Sequence, residues 1–242
     1  MFSNPYLNSN IHPITVSVIG CGGTGSMFLQ ELARINHTLL HIGRKGLEVT
    51  AIDPDVVTTA NYGRQLFSPA DIGRFKSTVL VERINRFYGF DWESQESEFT
   101  EDNCEANIII TCLDSIKSRS NINDILNNKK RYYTQDREKV MIWIDCGNDK
   151  NSGQVIMKTF KRKETDSPGL FDLYPDIKNR KQPKRKDSCS VAEAIERQDL
   201  MVNKFVALTA SKLLWEILKT GKTDWSGAFI NTETLNIKRI KI

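Results

Sequence analysis

A short β-branched run, Ile14 to Ile19, opens without a linker onto Gly20-Cys21-Gly22-Gly23-Thr24-Gly25. That order predicts strand, loop and helix, with the helix over about Thr24 to Ile35. Gly20 can take the tight turn, Gly22 and Gly23 let the backbone approach a ligand, and Gly25 lets the helix lie close to its strand. The free N–H groups of the first helical turn then face the loop and favour a phosphate there. Taken alone, such a loop suits a nicotinamide or flavin dehydrogenase, a methyltransferase or a nucleotide-activating enzyme equally, and it also suits a bare tight turn.

With 242 residues the chain is long enough to build a substantial core, so a single domain over 1–242 is expected. The formal charge of +4 is small, and much of it sits in Lys178 to Lys186, so nucleic acid is not required as a partner. No apolar run reaches the length of a membrane helix, and the N-terminus lacks a basic region leading into an apolar stretch. No membrane partner is expected, and the reading is cytoplasmic. The cysteines Cys21, Cys104, Cys112, Cys146 and Cys189 are isolated, with no CxxC pair; reduced thiols are expected and no structural zinc.

In chain order, residues 1–13 show no periodicity and read as a poorly ordered arm. An interruption is expected from Asn36 to Lys45, then a strand ending at Asp53. Asp53 has two readings: an acid at a strand tip accepting from ribose hydroxyls, or a turn former in Asp53-Pro54-Asp55. Ser68, Pro69 and Asp71 suit the cap and first turn of a long amphipathic helix carrying Lys76, Val79, Leu80, Ile84 and Phe87. Arg64 and Lys76 could equally be ordinary surface cations.

The ordered set is more specific than its members. The glycine loop, Asp53-Pro54-Asp55, Asn61-Tyr62-Gly63-Arg64-Gln65, and Lys76 beyond Ser68-Pro69-Ala70-Asp71 together resemble the ubiquitin-activating superfamily that includes ThiF, MoeB and HesA. More narrowly, residues 64–74 and 188–200 are similar to the ThiF-related protein of bacterial PRTRC cassettes. The resemblance implies a Rossmann-like, doubly wound α/β fold with a mostly parallel sheet and antiparallel C-terminal strands. It also implies ATP and Mg2+ as cofactors, with Gly20, Gly22, Gly23, Gly25, Asp53, Asn61, Arg64, Lys76 and Asp114 around the nucleotide. Within that set Arg64 and Lys76 offset phosphate charge, and Asp114 holds the metal. The implied reaction is adenylation of the C-terminal carboxylate of a small ubiquitin-like protein, by a homodimer.

Asp114 follows a buried strand starting at Asn107 and precedes a helix for which it or Ser115 can serve as cap. Strands are expected at 91–99, 141–147 and 152–160, then a mobile crossover loop at about 161–189, since apolar periodicity fails there. Cys189 precedes a helix start marked by the Ser190 and Glu193 capping box, a position that favours a thiolate. Some members of the superfamily carry a thioester or persulfide cysteine in this region, which gives Cys189 that role; a buried small hydrophobe is the alternative. A core or interface helix over 205–218, capped by Gly221, and two closing strands complete the chain.

The superfamily's dimers commonly bring an arginine from a helix before the first strand to the partner's phosphates. Here no Arg or Lys precedes Arg34. Arg74, Arg119 or the Lys178 to Lys186 block is therefore expected to stand in, the block first, with each site complete within its own subunit. Two other classes share the glycine loop: an NAD(P)-dependent oxidoreductase, which gives no reason for Arg64 and Lys76, and a nucleotide-binding scaffold without turnover.

Overall fold

The structure is a computed structural model, and it describes residues 1–61, 65–128, 140–160, 167–179 and 199–242. Parallel strands β2 (Ile14–Ile19), β3 (Leu47–Ile52), β4 (Glu93–Gln95), β5 (Ile108–Thr111) and β6 (Ile142–Asn148) form the larger part of an eight-stranded sheet. Antiparallel β7 (Ser152–Thr159), β9 (Trp225–Asn231) and β10 (Asn236–Lys241) continue it. The strand order is β10-β9-β7-β6-β5-β2-β3-β4. This is the α/β architecture, mostly parallel with antiparallel C-terminal strands, that the sequence led us to expect.

Layering follows from strand parity. In β5, Ile108 and Ile110 enter one core with α1 (Gly23–His41), α2 (Lys76–Tyr88) and α5 (Val202–Thr220), while Ile109 enters another with α3 (Ile116–Asn127). All four residues of β5 are buried, because helices cover both faces of a central parallel strand. Since β2 sits between β3 and β5, with Ile19 opposite Ile52 on one side and Thr111 on the other, the C-terminal tips of these strands share one edge.

Four expectations need correction. α1 runs through the supposed interruption to His41, because Asn36 is buried and its Oδ1 accepts from Leu47 N at 2.8 Å. A polar residue that looked like loop chemistry instead docks the helix on the next strand. The amphipathic helix begins at Lys76, not behind Ser68: the Ser68–Asp71 capping box closes a separate 3-10 turn, Pro69–Asp71, and Gly73 at φ 80° ends it. The first 13 residues are not a loose arm. β1 (Phe2–Ser3) pairs antiparallel with β8 (Lys222–Thr223), and Leu7 is 0% exposed. Finally, within the expected loop at 161–189, residues 167–179 are packed down. Leu170 and Phe171 of α4 (Leu170–Leu173) are buried beside α3, and Lys178 pairs with Asp124 at 2.9 Å. Residues 161–166 and 180–198 lie outside the described residues.

Two tests of stability follow. Leu7→Ala is expected to cost about 2–5 kcal/mol in urea unfolding, as a buried leucine does; a free arm would show no change. Burial pushes the Asp71 carboxyl up, but Ser68 N at 2.7 Å, the Ser68 hydroxyl at 2.9 Å and the Arg83 guanidinium outweigh it and hold it below the usual range. A depressed acid contributes stability that is present above its unfolded pKa, about 4, and is lost as pH falls through the folded value. Asp71→Asn should therefore be less stable than the parent at pH 7, and the two urea midpoints should converge in acid.

Candidate functional site

The glycine loop is built by close approaches that only a missing side chain allows. Gly20 has φ 89°, and a Cβ there would lie 2.8 Å from the Cys112 carbonyl oxygen. A Cβ on Gly25 would overlap the Gly20 carbonyl oxygen, so α1 can start this near β2 only with glycine there. Gly22, the N-cap of α1, is different: among the described residues a Cβ would meet only Gln65 Nε2, at 4.0 Å. Space is therefore open beside the loop at the point where the first-turn N–H groups of a 19-residue helix lack intrahelical acceptors.

Asp53 is buried beside this loop. Its Oδ2 accepts from Cys21 N at 2.5 Å and its Oδ1 from Asp55 N at 2.8 Å. The same side chain thus fixes the turn and ties it to the glycine loop. Burial raises its carboxyl above the usual range, against the pull of those two N–H groups and of Lys76. Lys76, the first residue of α2, is also buried, and its Nζ pairs with Asp55 Oδ2 at 2.7 Å. It is held there by a closed excursion of the chain: Val57 N bonds to Arg74 O, Gly73 N to Val57 O, and Lys76 N to Asp55 O, each at 2.9 Å. Asn61 lies within that excursion, its Oδ1 accepting from Thr58 N at 2.8 Å.

Asp114 is exposed at the same edge, between β5 and α3. Ser115 caps α3, accepting from Ser118 N at 3.2 Å. One turn in, Arg119 is buried and grips Asp145 of β6 with Nε at 2.9 Å and Nη2. Thr111 Oγ1 donates to the same carboxylate at 2.7 Å and receives Trp143 Nε1 at 3.0 Å. Burial works against the Arg119 charge, but Asp145 outweighs it and keeps the guanidinium charged. This network fixes the start of α3, and so the loop bearing Asp114.

The structure thus brings together Gly20, Gly22, Gly23, Gly25, Asp53 and Lys76, with Asp114 on the same edge; Arg64 and Cys189 lie outside the described residues. Two of the cations expected to stand in at the phosphates are occupied elsewhere: Arg119 is in its buried pair, and Arg74 bonds Glu82 at 2.7 Å. Four cysteines are free among the described residues. The Cys112 thiol, hydrogen-bonded to Cys146, and the Cys21 thiol, buried near Asp53, are both raised, so neither is a ready nucleophile. The sequence reading missed Asp55 as the partner of Lys76, and it missed Gln65. Among the described residues Gln65 Oε1 is buried without a hydrogen-bond partner, and its amide stands over Gly22.

An open cradle at a helix N-terminus, a strand-tip acid, a lysine and an orphaned amide acceptor suit a nucleotide phosphate and sugar. Among the described residues no group of three His, Cys, Asp or Glu could hold a metal ion. That fits Mg2+ only in its usual mode, on one or two carboxylates together with substrate phosphates. No helix among the described residues is long and apolar enough to cross a membrane.

Comparison with known proteins agrees with this architecture. The chain is 33% identical over 158 residues to the NEDD8-activating enzyme E1 catalytic subunit of Arabidopsis thaliana, covering 60% of this chain and 32% of that protein. It is 30% identical over 164 residues to the Drosophila melanogaster counterpart, covering 60% of this chain and 33% of that protein. The chain thus spans about a third of the length of these curated relatives. Among solved structures, E. coli MccB superimposes with a TM-score of 0.65 at 16% identity, over 98% of this chain and 65% of that one. PaaA gives 0.65 at 14%, over 98% and 67%. MccB solved with AMPCPP and MccA gives 0.64 at 15%, over 99% and 67%. The sequence pattern of the ThiF family matches residues 7–242, and the chain belongs to that family.

Proposed function

We propose that the chain activates the C-terminal carboxylate of a small ubiquitin-like protein by adenylation with MgATP. The observation that carries this reading is the convergence of the open glycine cradle, Asp53 and Lys76 on one sheet edge. Family membership and the NEDD8-activating relatives support it, as does the MccB structure that contains AMPCPP.

In this reading a carboxylate oxygen attacks the α-phosphorus of ATP, the bond from that phosphorus to the bridging oxygen breaks, and pyrophosphate leaves. Lys76 and Arg64 offset the charge that grows on the phosphates, because preorganised cations act most strongly where water is excluded. The Asp55 pair holds the Lys76 side chain at this edge until a phosphate competes for it. Asp53 and Asn61 orient the nucleotide, and Asp114 holds Mg2+, which when bound supplies further charge neutralisation at the phosphates. Cys189 then takes the acyl group as a thioester and releases AMP.

The same resemblance supports a PRTRC-type ThiF protein working as a homodimer; sites complete within one subunit, with the Lys178 to Lys186 block near the phosphates, and a cytoplasmic location are further parts of this proposal. The test is ATP–pyrophosphate exchange, with candidate ubiquitin-like proteins recovered from the native lysate in the presence of ATP. Exchange that depends on the partner's free C-terminus is expected, and exchange that ignores the partner would sink the assignment. A thiol-sensitive adduct on a non-reducing gel, lost in Cys189→Ala while exchange persists, is the expected result for the second step.

A further inference from the structure

Beneath the glycine loop a polar contact joins three elements. The Thr24 hydroxyl, in the first turn of α1, donates to Asn203 Oδ1 at 3.0 Å, and Asn203 lies in the first turn of α5. Asn148, the last residue of β6, bridges both, with Nδ2 at 2.9 Å from Thr24 Oγ1 and 2.5 Å from Asn203 Oδ1. Thr24 and Asn203 are buried. Gly23 is pressed against the same amide: a Cβ there would stand 2.6 Å from Asn203 Nδ2. Two 19-residue helices are therefore pinned together at their N-terminal ends, immediately below the phosphate cradle.

Buried polar groups cost free energy unless they are satisfied, and satisfied networks fix one arrangement of the elements that they join. We propose that Asn203, resting on the nucleotide-binding reading above, is a positioning residue that sets the register of the phosphate loop. Its carbonyl oxygen holds Thr24, and its amide forms the floor against which Gly23 lies. The N–H groups of Gly23 and Thr24 point at the phosphates only while this floor stays in place.

The test compares binding of MgATP and of adenosine by calorimetry in the parent, Thr24→Val, Asn203→Ala and Asn203→Asp, with melting temperatures alongside. Thr24→Val is nearly isosteric and removes only the hydroxyl. Loss of one or two such hydrogen bonds should weaken MgATP binding about tenfold while adenosine binding stays within about twofold, since adenosine carries no phosphate for the loop to hold. Asn203→Asp keeps an acceptor for Thr24 and Asn148 but buries a carboxylate, so it should melt below the parent, and its MgATP affinity is measured at a temperature where it is folded. The added negative charge beneath the phosphates should still weaken MgATP selectively. Thr24→Val and Asn203→Ala combined should weaken MgATP by clearly less than the sum of the two, because both remove the Thr24–Asn203 hydrogen bond. Parent-like MgATP affinity in Thr24→Val and Asn203→Asp, or equal losses for MgATP and adenosine, would overturn the positioning role while leaving nucleotide binding intact. A parent that binds no MgATP would overturn both.

Discussion

Asp145→Ala is expected to cost about 3–5 kcal/mol of stability, enough to leave a marginal domain largely unfolded at growth temperature. Both members of the pair are buried, and removing the carboxylate leaves the Arg119 guanidinium charged in a low-dielectric interior. Thr111 Oγ1 loses its acceptor, and Trp143 Nε1 then depends on a hydroxyl that is itself unpaired. Urea unfolding measures the loss. The double variant Asp145→Leu with Arg119→Met should recover most of it, since the desolvation penalty of the pair disappears along with its attraction. A single variant within about 1 kcal/mol of the parent would mean that the network contributes little, contrary to what burial of an uncompensated charge requires.

Lys76→Ala should behave in the opposite way. Its partner Asp55 is largely exposed, with 67% of its side chain in contact with solvent, so the carboxylate left behind can be hydrated. Stability should change by only about 1 kcal/mol or less, as for other pairs with one partner in water. Pyrophosphate exchange should fall by about two or more orders of magnitude, the usual consequence of removing a preorganised charge from the transition state. Asp114→Ala should lose a similar factor, with part of the loss recovered at raised Mg2+ if the carboxylate serves to hold the metal. Near-normal exchange in both variants, in protein whose melting temperature is unchanged, would remove Lys76 and Asp114 from the site.

The contrast between Asp145 and Lys76 also marks what could be read from the residues in order. The glycine loop was legible because its steric demands are local: Gly20 turns, and Gly25 makes room within five residues. Gly221, at φ 69°, likewise announces the end of α5. The Ser68 and Asp71 chemistry was legible too, yet its consequence was misread. Those caps close a 3-10 turn, and Gly73 separates it from α2. The N-terminal arm was misread for another reason: Phe2 and Ser3 find their partners at Lys222 and Thr223, near the other end of the chain.

By itself, then, the sequence determined the position of the phosphate loop and the end of α5 at Gly221. Those depend on backbone sterics and capping, which act over a few residues and are written in residue order. Only the tertiary structure decided that Lys76 rests on Asp55, that Arg119 spends its charge on Asp145 rather than on a phosphate, and that Asn203 reaches Thr24. Each of these contacts draws its strength from burial, and burial exists only after helices and strands have packed, so no local pattern could have announced the partner.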